Sequence, residues 1–288
     1  MTKFLYIADT HLGADSTGYQ QQKKYPERLP EIMQALGEYI AVNNDIDFVL
    51  HGGDMIESTT DDNILAAVET FDLPVPVYLC LGNHDLTESN AVDRWLKLAP
   101  HFFVNGSPNY TIETENCIIH VLPSHWGDAL FFWDNVQRPH FSCEQVEFLS
   151  NGLSVKTELP HILSTHSPVF GLPIEQTGLS EPLHRPTPSF AEEMISIVER
   201  HKSIKCVLGA HNHMNMRVDF GGVEFVTVSS MIEVPFEFKV FEVSPERIEM
   251  KTVGLNALDF DAEYDIKKSY VQGRDIDRSF SNSNSNSL

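Results

Sequence analysis

The chain has 288 residues, 42% of them apolar and 10% aromatic, enough to bury one large hydrophobic core. Its 41 acidic against 20 basic residues give a formal charge of -21, a surface that repels phosphate backbones, so a nucleic acid polymer is a disfavoured partner and solubility is expected. No run reaches the ~18 apolar residues of a membrane-spanning helix, the segment 1–9 meets an acidic residue too early for a secretory signal, and Cys80, Cys117, Cys143 and Cys206 are scattered without a CxxC pair; a cytoplasmic protein with free thiols and no membrane partner is expected.

Residues 3–8 read as a first strand, and Leu29, Ile32, Met33, Leu36, Tyr39 and Ile40 recur at helical spacing. Residues 46–50 read as a buried strand ending at His51-Gly52-Gly53-Asp54, and residues 64–71 as the next helix. A third strand over 75–81 is left at Gly82, before a short helix around 92–98. Strands over 110–113 and 117–122 then lead to the loop Pro123-Ser124-His125-Trp126-Gly127. Ser142 as N-cap, with Gln145 at the capping-box position, opens a helix expected to stop near Asn151-Gly152.

After a strand over 161–165, the loop 168–189 carries five prolines and is expected to border the site, as long loops in compact domains usually do. A helix over 191–201 and a strand over 205–208 precede two hairpins, 216–229 turning at Gly221-Gly222 and 238–253 turning near Ser244-Pro245-Glu246. Residues 1–255 are expected to form the main domain and 256–278 a C-terminal extension. Residues 279–288, where Ser and Asn alternate, are expected to be a disordered tail. The edges of the two hairpins offer a homodimer contact.

Alternating α and β elements put ligand sites at the carboxyl ends of strands, and five expected strand ends carry metal-capable side chains. Asp9-x-His11 would aim two donors at one ion if the chain stays extended, although an Asp after a strand is also a common turn or cap residue. Asp54 follows two glycines, which permit a tight turn beside an ion or simply a turn. Gly82-Asn83-His84-Asp85 supplies a neutral oxygen and a proton donor. His166 ends a strand where a lone histidine is more often structural, and His211-x-His213 places two imidazoles after another. Agreement of these separate signals in one structural position carries the argument. A donor set of O and N without thiolate suits Mn, Fe or Zn, and seven ligands suit two ions better than one.

In this order, Asp9-x-His11, Gly53-Asp54, Gly82-Asn83-His84-Asp85, His166 and His211-x-His213 resemble the five-block signature of the calcineurin-like metallophosphoesterase superfamily over roughly residues 3–230. The Glu144-Gln145 helix leading to Thr165-His166-Ser167-Pro168 is similar to class III cyclic-nucleotide phosphodiesterases and their glycerophosphodiesterase relatives. The resemblance implies an α/β fold, a four-layer α/β/β/α sandwich of two mixed sheets. It implies two divalent or trivalent ions, the first held by Asp9, His11, Asp54 and His213 and the second by Asp54, Asn83, His166 and His211. Asp54 would bridge them, His84 would be the catalytic acid, and Asp85 would orient it by a hydrogen bond. Ala210 stands where the superfamily often has glycine before the histidine pair.

Two such ions can share a hydroxide and clamp phosphoryl oxygens for in-line attack, so hydrolysis of a small phosphate ester is expected, with a phosphodiester first and a phosphomonoester or nucleotide as the alternative. A catalytically inactive protein-binding scaffold is a third reading, disfavoured because every ligand position is filled. His51, His101, His120, His140, His161, His184 and His201 lack a partner at motif spacing and read as structural or exposed, whereas His125 and Trp126 fall in a loop that could reach substrate.

Overall fold

The computed structural model describes residues 1–255, 258 and 260–283. Its first sheet is built from β1 (Thr2–Ile7), β2 (Phe48–His51) and β3 (Val77–Leu79), which run parallel, with the first helices between them: α1 (Leu29–Val42), α2 (Asp61–Thr70) and, after β3, α3 (Ala91–Leu98). The second sheet takes β4 (Tyr110–Glu113) and β5 (Ile118–Val121), then, beyond α4 (Cys143–Leu153), β6 (His161–Ser164). The short α5 (Ile174–Thr177) and the longer α6 (Pro188–Arg200) lead to β7 (Ile204–Gly209) and the hairpin β8 (Met216–Phe220) and β9 (Val223–Thr227). The chain then returns to the first sheet as β10 (Glu237–Ser244) and β11 (Arg247–Gly254), and after α7 (Asp275–Arg278) as β12 (Ser279–Ser283). The strand orders are β12-β11-β10-β1-β2-β3 and β4-β5-β6-β7-β9-β8, both mixed.

Alternation of side chains across the pleat explains the layering. In β6 and β7, Ile162, Cys206 and Leu208 join the core shared with Phe4, Leu5, Tyr6, Val49 and Phe241 of the first sheet. Their neighbours Leu163, Ile204 and Val207 turn the other way, onto Leu149 and Leu153 of α4 and Phe190, Met194 and Ile197 of α6. The apolar stripe of α1, Leu29, Ile32, Met33, Leu36 and Ile40, is buried on the first sheet. Helix, sheet, sheet and helix therefore stack, and the Tyr6 hydroxyl donates across the inter-sheet core to the Gly209 carbonyl at 3.0 Å. The capping box expected at Ser142 and Gln145 forms in both directions, and among the described residues no helix is long and apolar enough to cross a membrane.

The C-terminal segment departs from the sequence-based expectation. Ser279–Ser283, expected within a disordered tail, pairs antiparallel with β11 from Lys251↔Ser279 to Arg247↔Ser283; residues 284–288 of that tail lie outside the described residues. Strand addition needs only backbone groups, which a Ser- and Asn-rich composition does not remove. One aromatic residue anchors it: Phe280 is 9% exposed, with Phe241 at 6.4 Å and the Arg217 guanidinium over its ring at 5.2 Å. Upstream, Asp277 accepts the Arg217 N–H (2.8 Å) and the Arg274 N–H (2.7 Å), Arg278 pairs with Glu237 at 2.6 Å, and Lys239 Nζ donates to Thr252 (2.8 Å) and the Asp277 carbonyl (3.2 Å). Burial brings the Lys239 ammonium down to about 7, so these polar partners offset a real desolvation cost. The extension expected at 256–278 is thus fastened to the sandwich. Of the hairpin edges expected to offer a dimer contact, that of β11 is occupied by β12, and β8 has the Arg217 N–H and carbonyl taken by Asp277 and Arg274. Phe280→Ala should lower the unfolding free energy by about 3 kcal/mol, as loss of a buried aromatic ring does; an unchanged urea midpoint would show that β12 contributes nothing to the sandwich.

Candidate metal centre

The loops leaving β1, β2, β3, β6 and β7 meet at one edge of the sandwich and bring all seven expected ligands together. They do so by turning sharply. Asp9, His11, Asp54, His211 and His213 have φ of 54°, 42°, 53°, 67° and 59°, a left-handed conformation that costs a non-glycine residue on the order of 1 kcal/mol. The extended Asp9-x-His11 geometry expected from the sequence is therefore replaced by a turn. Its cause is pairing between the first two loops: the Asp9 N–H donates to the Gly53 carbonyl (2.9 Å) and the His11 N–H to the Asp54 carbonyl (3.0 Å). Gly53, at φ 111°, has no room for a side chain, since a Cβ there would collide with His166 Nδ1.

Each of the four histidines has its Nδ1 engaged. His11 Nδ1 lies 2.9 Å from Glu57 Oε2, His213 Nδ1 2.7 Å from Glu233 Oε1, His166 Nδ1 2.8 Å from the Gly52 carbonyl and His211 Nδ1 2.9 Å from Asn83 Oδ1. The partners of His11, His213 and His166 are oxygen acceptors outside the expected ligand set, so on these three the hydrogen sits on Nδ1 and the lone pair of a neutral ring sits on Nε2. His211 Nδ1 and Asn83 Oδ1, both expected to hold one ion, instead face each other as two donors around it would. The His11 and His213 Nε2 atoms face one another at 3.2 Å, a contact that needs a positive charge between them, a proton on one ring or a metal ion. His166 Nε2 and Asp9 Oδ1 are buried without a hydrogen-bond partner, and buried polar atoms seldom remain so. Two groups of donor atoms lie within 4.8 Å of one another, Asp9 with His11 and His213, and Asp54 with His166 and His211. Orphaned donors and opposed lone pairs fit metal ions, whose ligand histidines characteristically donate the other N–H to an oxygen.

Asp54 stands between the groups. Its Oδ1 accepts the His84 N–H at 2.8 Å, leaving Oδ2 3.2 Å from His166 Nε2 and 3.9 Å from His11 Nε2. Burial opposes its ionisation, but the His166 and His84 imidazoles hold the Asp54 carboxyl well below the usual range. Burial acts downwards on His166 too, yet Asp54 raises it to about 9. Burial raises the Asp9 carboxyl in spite of His213 and His166. The cluster is short of positive charge.

Asp85 does not orient His84 as the sequence suggested. Its carboxylate accepts the N–H groups of Met55 (3.0 Å), Ile56 (3.1 Å) and Gly82 (2.9 Å), and burial, reinforced by Asp54, pushes it up to about 7. Fully buried, it fixes the two loops that carry Asp54 and Asn83. The residue that holds His84 is Glu57, whose carbonyl accepts from His84 Nδ1 at 2.9 Å and whose carboxylate lies 3.6 Å away. His11, Glu57 and His84 form a third group of donor atoms, but both rings direct N–H groups at Glu57, which makes it a hydrogen-bond network.

The centre floors a cavity of about 530 Å³, within the range of small-molecule sites. Trp126 packs on His211 (4.7 Å between centroids, 35°) and Trp133 on His84 (4.7 Å, 43°). His125, the other residue of that loop expected to reach substrate, is buried away from the cavity and accepts the Phe131 N–H at 3.0 Å. His184, read as structural or exposed, lines the cavity and meets the Tyr19 hydroxyl at 3.0 Å. His51 is structural, with Nε2 on the Thr10 hydroxyl (2.9 Å) and Nδ1 accepting from Gly53 (3.2 Å). Sequence reasoning missed Glu57, Glu233, Trp133, Tyr19 and Lys24. Glu57 lies three residues beyond Asp54 and was within reach of it; Glu233 follows His213 by 20 residues and carried no local signal.

Residues 2–215 match the family model described as calcineurin-like phosphoesterase. The chain is 25% identical over 230 residues to the 3',5'-cyclic adenosine monophosphate phosphodiesterase CpdA of Haemophilus influenzae, covering 77% of this chain and 73% of the relative. Its fold is similar to that of a dimetal phosphatase from Danio rerio, with TM-score 0.67 and 16% identity over 88% of this chain and 96% of that one. A purple acid phosphatase from yellow lupin aligns with TM-score 0.61 and 13% identity over 97% of this chain and 53% of its own. The chain belongs to the calcineurin-like phosphoesterase family and is a metal-dependent phosphoesterase.

Proposed function

We propose that the protein hydrolyses a small phosphodiester at two metal ions, Mn, Fe or Zn, one held by Asp9, His11, Asp54 and His213 and the other by Asp54, Asn83, His166 and His211. The observation that carries this reading is the convergence of the Nε2 atoms of His11, His166 and His213 on two buried carboxylates, with His211 Nδ1 facing Asn83 Oδ1 beside them and with His166 Nε2 and Asp9 Oδ1 making no hydrogen bond. When bound, the ions supply an activated water and neutralise charge on the phosphoryl oxygens. The chain's own residues do the rest.

His84 is the proton donor. As an imidazolium it uses Nδ1–H on the Glu57 carbonyl (2.9 Å), which leaves Nε2–H for the leaving oxygen. The His11 edge and the Trp133 ring flank it at centroid distances of 4.7 Å each, fixing its plane and displacing water. Glu233 positions His213, and by also accepting the N–H groups of Gln21 and Gln22 it ties the loop after β1 to that ligand. A diester is favoured because two aromatic rings line the cavity, Trp126 against His211 and Trp133 against His84, and can receive organic groups on the phosphate. The Haemophilus influenzae relative is itself a cyclic diesterase. All four cysteines are free, three buried and Cys143 exposed, which fits a reducing cytoplasm.

With Mn²⁺, kcat/KM for bis(4-nitrophenyl) phosphate should exceed that for 4-nitrophenyl phosphate; dominant monoester turnover would overturn the choice of diester. His84→Ala should keep its metal content and lose about 10²–10⁴-fold in kcat, the range for a general acid, and near-normal turnover would remove His84 from the mechanism. Glu233→Gln should weaken metal binding about 10–100-fold, measured by competition with a chromogenic chelator; unchanged affinity would contradict its positioning role.

A further inference from the structure

One wall of the cavity is a seam between two loops, 13–25 after β1 and 168–187 after β6. The Tyr19 hydroxyl and His184 Nε2, 3.0 Å apart, close it, with Gln21 Nε2 3.2 Å from the same ring nitrogen. The Tyr19 ring stands edge-on to His213 at 5.1 Å, so the seam rises directly from the metal centre. Two cations line this wall, Lys24 from the first loop and Arg185, the neighbour of His184, from the second.

Among the described residues neither cationic group makes a hydrogen bond or an ion pair. Lys24 is only 6% exposed, yet among the described residues its Nζ makes no hydrogen bond, and Asp15 and Glu57, whose charges it feels, do not come within the 4.0 Å of an ion pair. A Cβ placed on Gly18 would lie 3.6 Å from that Nζ, close but not colliding. Arg185 is exposed; its guanidinium has no hydrogen bond or ion pair among the described residues, while its stem packs so closely on Gly171 that a Cβ there would lie 2.7 Å from Cγ. Lys24 Nζ is not fully buried and opens onto the cavity that Lys24 lines, and in a chain of formal charge -21 carboxylates to pair with it are abundant. Two positive charges left free beside a phosphoester centre therefore mark a place for a ligand anion. An ammonium and a planar guanidinium together match a phosphate dianion in charge and in donor geometry.

We propose that Lys24 and Arg185 form a subsite for a second phosphate, so that the natural substrate is a small phosphate ester bearing a further phosphate beyond the one cleaved. This rests on the phosphoesterase reading of the metal centre, which binds the scissile group, while the seam binds the other end. The subsite accounts for specificity and leaves the bond-breaking step to the centre.

Phosphonates, whose C–P bond resists hydrolysis, test it in the metal-loaded full chain by calorimetry. A series of alkane-α,ω-bisphosphonates of about three to eight carbons is compared with monophosphonates of equal length, because charge-assisted contacts at the far end should add at least about tenfold in affinity at the chain length that spans the cavity. In Lys24→Met and Arg185→Met that advantage should fall to about the twofold expected from having two equivalent ends. Taking the ratio within each protein cancels differences in metal loading. No bisphosphonate advantage in the unmodified protein, or an advantage that survives both substitutions, overturns the subsite. Failure of every monophosphonate to bind would instead fault the metal-centre reading, and a preference for monoesters over diesters would leave this ratio unaffected.

Discussion

Everything else at this site follows from buried imidazole lone pairs and carboxylate oxygens being crowded at a separation only a cation can stabilise. His11 and His213 present Nε2 to each other at 3.2 Å, and His166 Nε2 and Asp9 Oδ1 are buried without a hydrogen bond. Left bare, such groups carry desolvation costs of several kcal/mol. The chain nevertheless builds around them a shell that fixes three of the rings: Glu57, Glu233 and the Gly52 carbonyl occupy the Nδ1 atoms of His11, His213 and His166. Orientation of the donors is therefore set before any ion arrives, which is how a protein lowers the entropic cost of assembling a coordination sphere.

Backbone strain is concentrated at the same place. Five of the seven proposed ligands sit in the left-handed region, and the strain is held by hydrogen bonds between loops and by glycines that leave no room for side chains. Asp85 is central to this: a fully buried carboxylate gathering three backbone N–H groups locks the loops after β2 and β3 against each other. The sandwich supplies the rigidity behind it. β1, buried at every position, lies between parallel β2 and antiparallel β10 and carries Asp9 out of the sheet centre. The C-terminal strand closes the far side of the same sheet.

The walls of the cavity are assembled differently from its floor. Trp126 and Trp133 come from the long connection between β5 and α4, and Tyr19, Lys24, His184 and Arg185 from loops after β1 and β6. The cavity is lined both by aromatic rings, Trp126, Trp133 and Tyr19, and by cationic side chains, Lys24 and Arg185. A single metal chemistry can thus serve different esters in different proteins, because rim loops vary while the floor is fixed by coordination.

The fold class, and the residues that meet at the candidate centre, were legible in the sequence because each is fixed locally. A metal restricts its donors to a few residue types, and the βα alternation puts them after strands, so Asp9, His11, Asp54, Asn83, His166, His211 and His213 announce themselves one short motif at a time. The same logic located His84 and the capping box at Ser142. Tertiary structure decided what depends on distant segments meeting: that Glu233 holds His213, that Glu57 and not Asp85 holds His84, and that Trp126 reaches the centre while His125 is buried beside His140. It also decided that Ser279–Ser283 is a strand, since β-pairing draws on backbone groups every residue carries and composition does not encode a partner. Residue chemistry specified the metal donors; only packing could specify their orientation.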